Sequence, residues 1–245
     1  MSNGRRQAGF TIIETMLFLG VTGLIMSFML VGVSTQLNHR RYQDASTSLM
    51  TYIQNQYSLV SNVNNTRDPN ESCTTNKIET TGGNGAAAGT SVCTIVGRLL
   101  RSADAGKTIN ATQVVATLDA ALLPLNPDDT DVEVLRDAQL TTSLSSEAYT
   151  TQWGTSLVNP APDNAQPSTF SLLIVRMPTS GVIHTYVSTS ENISLDDLVA
   201  PSSVSDLRLC LASNGLLGAG TPSGVRIIAD AANTSAVERV SQGGC

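Results

Sequence analysis

Lysine is almost missing from this chain. Only Lys77 and Lys107 occur in 245 residues, and 14 basic side chains stand against 20 acidic ones, a net charge of −6. So acidic a chain makes a poor general binder of nucleic acid, because affinity for phosphates rests on Lys and Arg. Aromatics are scarce as well, with one Trp, five Tyr and four Phe. The chain beyond residue 60 is instead rich in Ser, Thr, Asn and Ala, a composition that suits a β-rich domain with a thin core. The two histidines, His39 and His184, lie far in sequence from the four cysteines, and no Cys-x-x-Cys pair occurs. No metal site is expected from such spacing. Gly-x-Ser-x-Gly, a phosphate loop and His-Glu-x-x-His are all lacking. We therefore expect no catalytic residue and no cofactor, and the chain reads as a non-enzyme. His184, between Ile183 and Thr185, reads as a half-exposed strand histidine. Proline is missing before Pro69, which leaves the N-terminal quarter free to form one long helix.

What is present in that quarter is an apolar run. Met1–Gly9 is polar and carries Arg5 and Arg6, and from Phe10 to Val33 Glu14 is the only charge among 24 residues. At the helical rise of about 1.5 Å per residue the run is long enough to cross a bilayer core. It is too long for the apolar region of an ordinary secretory signal. A carboxylate inside such a segment is costly and demands a partner. The plainer account of Glu14 is an acid in the first helical turn, favoured by the dipole and reaching toward the headgroups. Gly20, Gly23 and Gly32 each cost about 1 kcal/mol in a helix relative to Ala, and close helix packing in lipid is one reason for them. Two basic residues flank each end of the run, Arg5–Arg6 and Arg40–Arg41, so charge bias does not orient it. Arg40 and Arg41 read as side chains reaching the outer interface.

Gly9-Phe10-Thr11-Ile12-Ile13-Glu14 followed by an apolar run resembles the start of the type IV pilin and pseudopilin family. The resemblance covers the N-terminal fifth of the chain. It implies cleavage after Gly9 by a prepilin peptidase and N-methylation of Phe10. It implies that the Glu14 carboxylate pairs, during assembly, with the α-amine of Phe10 on a neighbouring subunit. Removal of Met1–Gly9 takes Arg5 and Arg6 with it and leaves 12 basic and 20 acidic side chains, or −8. The resemblance also places the leader in the cytoplasm and the C-terminal domain outside. It implies a single-pass protein of the cytoplasmic membrane that becomes part of an extracellular filament. Within the family a glycine and often a proline loosen the middle of the helix. Gly23 matches the glycine, whereas Val31 stands at the proline position, a departure from the pattern.

Beyond the apolar run, Tyr42, Ala45, Leu49, Ile53, Tyr57 and Val60 recur at three- and four-residue spacing, opposite Gln43, Asp44, Thr47, Thr51, Gln54 and Asn55. This predicts an amphipathic continuation of the helix to about residue 60, packed on something through the apolar stripe. The expected organisation is a leader over 1–9, a transmembrane helix over 10–33, an amphipathic extension over 34–61 and an extracytoplasmic β-rich domain over 62–245. The fold class is α+β, a long N-terminal helix on an antiparallel sheet domain, which is also the pilin architecture. Within the domain, 62–89 reads as loop, 92–99 as a buried strand, and 110–122 as a helix opened by Asn110 and stopped by Pro124. The acidic cluster 128–131 and the proline-bearing stretch 155–167 read as connectors. Phe170–Met177 and Val182–Val187 read as a hairpin around Pro178-Thr-Ser-Gly181, with further strands at 207–212, 225–229 and 237–240.

The cysteine count is even, which favours disulfides behind a membrane segment. Three pairings of Cys73, Cys93, Cys210 and Cys245 are possible. The most economical is Cys73–Cys93 with Cys210–Cys245, and four free thiols are the alternative. The second pair would tie down a terminus that otherwise frays, and it resembles the C-terminal disulfide loop common among pilins. Five Asn-x-Ser/Thr sequons, at Asn64, Asn70, Asn110, Asn192 and Asn233, reflect composition. The reading that follows is a structural subunit of a type IV pilus or related filament, with length favouring a minor pilin. Its expected partners are other pilin subunits through the N-terminal helix, the prepilin peptidase and the membrane. The alternatives are a pseudopilin of a type II-like secretion system, or a membrane-tethered extracytoplasmic domain that never polymerises.

Overall fold

A computed structural model describes residues 11–62, 71–74, 77–80, 93–117, 128–160, 166–213, 223–240 and 244–245. The leader and the Gly9–Phe10 junction lie outside the described residues. The first element, α1 (Ile12–Ser61), is a single helix of 50 residues. Thr11 caps it with extended backbone, and Asn62 ends it, donating its N–H to Ser58 O. No proline interrupts it, and its apolar first half needs no outside hydrogen-bond partners. The hydroxyls inside the run bond back to the helix: Thr15 to Ile12 O at 2.8 Å, Thr22 to Phe18 O at 2.8 Å and Ser27 to Gly23 O at 2.9 Å. Such back-bonding removes the cost of hydroxyls in an apolar medium.

The remainder is an antiparallel β domain with two short helices. Its strands are β1 (Glu71–Thr74), β2 (Lys77–Thr80), β3 (Cys93–Ala103), β4 (Thr108–Thr117), β5 (Gln139–Thr150), β6 (Thr155–Val158), β7 (Ser171–Arg176), β8 (Ile183–Ser188), β9 (Leu207–Ser213), β10 (Ser223–Ile227) and β11 (Val237–Val240). Helix α2 (Asp131–Asp137) precedes β5, and α3 (Leu195–Leu198) follows β8. One sheet has the order β5-β4-β3-β7-β8, a second β11-β10-β9-β6, and β1-β2 form a separate ribbon. The class is α+β, as the sequence predicts.

The second half of α1 lies between the two large sheets. Its stripe is buried throughout, with Leu49 and Ile53 fully enclosed. These side chains join one core with Leu100 of β3, Ile109 of β4, Leu172 and Ile174 of β7, Leu209 and Leu211 of β9, and Val225 and Ile227 of β10. Full burial of each large side chain contributes about 1.5–3 kcal/mol. A second core on the far side of the five-stranded sheet gathers Leu99, Val114, Leu173, Val175 and Tyr186 under Leu135 of α2 and Leu198 of α3. With both faces covered, β7 reads Ser-Leu-Leu-Ile-Val-Arg without alternation, since Leu172 and Ile174 face α1 while Leu173 and Val175 face the other way.

Four expectations within the domain are corrected. Of the segment opened by Asn110, residues 110–117 belong to strand β4, paired with β3 on one side and β5 on the other, and 118–122 lie outside the described residues; the Val114/Val115 pair that fits a helix face serves both sheet faces instead. The presumed connector 128–131 leads into α2, started by a capping box between Thr130 and Glu133, and the presumed connector 155–167 holds β6, paired with β9. Strand β5 carried no apolar alternation to announce it. Finally, the 62–89 loop contains the β1–β2 ribbon. The hairpin of β7 and β8 stands as expected, joined from Arg176↔Ile183 to Ser171↔Ser188, and β9, β10 and β11 fall at the predicted places.

Candidate functional site

The apolar half of α1 is bare. Every large apolar side chain from Ile12 to Val33 is exposed, as high as 78 % at Ile12 and Ile13. So large an apolar surface is not stable in water and marks a membrane or a partner. The helix is long and apolar enough to cross a membrane. Cβ atoms built on Gly20, Gly23 and Gly32 would meet nothing within 4 Å. Among the described residues nothing asks for glycine at these positions, while close approach of a second helix does.

Glu14 occupies the third position of α1. Its N–H donates to Thr11 Oγ1 at 3.4 Å and to Thr11 O at 3.1 Å, which settles the first turn. The carboxylate itself has no hydrogen-bond or ion-pair partner among the described residues. The N-terminal dipole favours an anion there, but beyond Thr15 the next groups along the helix are Met16, Leu17 and Phe18, all exposed and apolar. The structure thus presents one carboxylate at the end of a bare apolar rod. Phe10, whose α-amine is its expected partner in a neighbouring chain, lies outside the described residues.

The other predicted residues are the cysteines of the β domain. Cys210 and Cys245 form a disulfide with Cα atoms 5.5 Å apart. It ties the last residue to the outer face of β9, while Leu209 and Leu211 on the same strand face α1. Gly224 of β10 pairs with Cys210 and lies beneath the bridge. A Cβ there would collide with Leu209 O and approach Cys245 Sγ to 2.9 Å, so the chain can cross only at glycine. Cys93, on β3, is also disulfide-bonded. Cys73 pairs through its backbone with Ile78, but its side chain lies outside the described ones.

Polar contacts fix how the helix seats in the domain. Tyr57 Oη lies 2.8 Å from Thr185 Oγ1, which donates to Ala231 O at 2.6 Å. Tyr52 stacks on Tyr149 with ring centroids 4.4 Å apart, and Tyr149 donates to Ser48 Oγ at 3.1 Å. Arg98 donates from Nε to Gln56 Oε1 and pairs with Glu147, both at 2.9 Å. Burial pushes the Tyr57 hydroxyl up to about 12, against the opposing bond from Thr185. Burial, and then the Glu147 charge, push Tyr52 up to about 12 as well. These phenols are structural.

Three features escaped the sequence reading. Glu71 of β1 is only 8 % exposed. Its carboxylate accepts from Ser143 Oγ at 2.7 Å, Leu144 N–H at 2.8 Å and Ser145 N–H at 3.1 Å. Between the pairs Thr112↔Ser146 and Val114↔Thr142, the three residues 143–145 of β5 face Gln113 alone. This wide bulge frees the two N–H groups that Glu71 takes up. Trp153 lies against Arg41 of α1, 5.5 Å from Arg41 Cζ to the ring centroid. His184 pairs with Asp230 at 2.8 Å, and is half-buried on the edge strand β8. No local signal pointed to these three pairings, because each joins residues at least 46 positions apart in sequence. Among the described residues no group of three or more His, Cys, Asp or Glu is placed to hold a metal ion. Compared with known proteins, the chain matches no family model, no curated protein and no solved structure.

Proposed function

We propose that this chain is a prepilin-like structural subunit, processed to begin at Phe10 and assembled through α1 into a type IV pilus or related filament. The observation that carries the proposal is the lone Glu14 carboxylate on a bare apolar helix whose second half is the spine of a folded domain. In hydrocarbon an unpaired carboxylate is costly, and the positive α-amine of a neighbour's Phe10 is a counter-charge of the right sign at the right end of the helix. Pairing there sets the axial register between copies. Gly20, Gly23 and Gly32, with no neighbour within 4 Å among the described residues, support close helix–helix approach. Before assembly the same helix holds the subunit in the membrane, with the β domain on the outer side. Length favours a minor subunit, and a secretion pseudopilin is the variant of the same reading.

Two measurements test it. The mature N-terminus, read by mass spectrometry, is expected at Phe10; a chain starting at Met1 is a plain anchor, and a start near Ser34 is a secreted domain. Glu14→Ala is expected to stay membrane-inserted with a folded domain yet drop sharply from sheared filaments. Equal abundance of Glu14→Ala and parent protein in the sheared fraction refutes the pairing role. Absence of both from every fraction but the membrane favours a tethered domain that never polymerises.

A further inference from the structure

The one tryptophan of the chain stands where the core gives it no reason to be. Trp153 occupies the turn between β5 and β6 with φ 58° and ψ 26°, a left-handed conformation rare for a bulky residue. Hydrogen bonds hold the turn on both sides. Thr151 N–H donates to Lys107 O at 2.9 Å, and Thr155 Oγ1 donates to Gln152 O at 2.8 Å. Strain kept this way points to a use, and that use is not burial, since Trp153 is 58 % exposed. Its ring lies against the Arg41 guanidinium instead. Of the contacts between α1 and the domain described above, this one is nearest the apolar end of the helix. Burial of the helix begins one residue later, at Tyr42. Arg40, beside Arg41, is exposed, and neither arginine has an ion-pair partner among the described residues. Asp44 is the nearest carboxylate on the helix and pairs with neither.

The axial distances match a bilayer. Arg41 lies eight residues beyond Val33, about 12 Å along the axis. Side chains on a helix lean toward its N-terminus, so the guanidinium sits closer to the membrane than its own Cα. The headgroup layer is about 5–8 Å deep on each side of the hydrocarbon. With Val33 at the hydrocarbon edge, the side chains of Arg40 and Arg41 lean back toward that layer, and the Trp153 ring lies beside Arg41. An indole prefers this zone, and each arginine near an anionic surface strengthens association about fivefold.

The geometry points to a membrane-interface anchor in which Trp153, Arg40 and Arg41 seat the β domain on the phosphate-bearing lipid headgroups at the outer face of the bilayer. The inference rests on α1 spanning that bilayer. It adds that the domain is docked on the surface before assembly rather than swinging free on its stalk.

The single tryptophan makes the test direct. The full chain is reconstituted into phosphatidylcholine vesicles with and without phosphatidylglycerol, and Trp153 emission is read against acrylamide and against lipids brominated near the headgroup. Expected are a blue-shifted emission, severalfold less quenching by acrylamide than for a tryptophan in water, and quenching by the brominated lipid. The effects should grow with phosphatidylglycerol, and Arg40→Gln with Arg41→Gln should lower the equilibrium constant between docked and undocked domain about fivefold per arginine. Water-like emission with full acrylamide access, in protein that floats with the vesicles, overturns the anchor and leaves the membrane span standing. Protein that does not float overturns both. A blue shift that appears only as the protein-to-lipid ratio rises assigns the surface to a second copy of the chain and also overturns the anchor.

Discussion

Cutting the C-terminal disulfide is the sharpest test of how the β domain holds together. Cys210 sits on the inner strand β9, fully buried, and Cys245 crosses above Gly224 to reach it. The bridge closes a loop with a sequence separation of 35 that contains β10 and β11, both of which pack on α1. The chain-entropy relation for a closed loop of this length gives about 4 kcal/mol of stabilisation, mostly through the unfolded state. Cys245→Ala removes the link and leaves Cys210 as a small buried hydrophobe, which costs little by itself. With a urea dependence of about 2–3 kcal/mol per molar, the midpoint should fall by about 1–2 M. The assay is a urea titration in mild detergent followed by Trp153 emission, since that residue sits at the entry to β6 in the same sheet. Amide exchange should rise first in β10 and β11. A midpoint and slope equal to the parent's would refute the reasoning, and would mean that the strands between the cysteines are closed by packing alone.

Three further outcomes follow from particular contacts. Gly224→Ala should destabilise the domain by about 1–3 kcal/mol, the usual cost of overpacking, because backbone and sulfur both crowd the new methyl; an unchanged thermal midpoint would contradict this. Glu71→Ala strands the Leu144 and Ser145 N–H groups and should cost about 2–3 kcal/mol, with protease sensitivity rising within 71–80 before the rest of the domain unfolds; uniform sensitivity would argue against a local latch. Tyr52 and Tyr57 both have folded pKa values raised to about 12, whereas an unfolded tyrosine ionises near 10. Their stabilisation is therefore complete below about pH 10 and is lost as pH rises from there toward 12, so alkaline unfolding should fall in that window, and Tyr57→Phe should flatten it. An unfolding free energy that does not change across that window would be inconsistent with the burial of these phenols.

Some of this molecule is written locally. Helix α1 is legible because its signals lie within a few residues of each other: no proline before Pro69, an apolar run, then Tyr42-Ala45-Leu49-Ile53-Tyr57-Val60 on one side. All six proved buried. The β7–β8 hairpin is legible for the same reason, with two apolar runs around a short turn, whereas Cys210–Cys245 belonged only to the most economical of three possible pairings. Strand identity elsewhere is not local. Val114 and Val115 fit a helix face equally well until β3 and β5 flank them, and β5, with Ser and Thr at half of its positions, is a strand because β4 gives its backbone partners. The capping box at Thr130 was readable, but the acidic residues around it also suit a connector. Glu71 reaching Leu144 and Ser145, and Trp153 reaching Arg41, join residues 73, 74 and 112 positions apart. The sequence alone therefore determined a bare apolar helix with one carboxylate, an amphipathic continuation and a β-rich remainder, since each depends on near-neighbour spacing. Only the tertiary structure decided which sheets embrace the helix, which bulge receives Glu71 and which turn brings the tryptophan to the arginines, because hydrogen bonding between distant strands leaves no mark in either strand on its own.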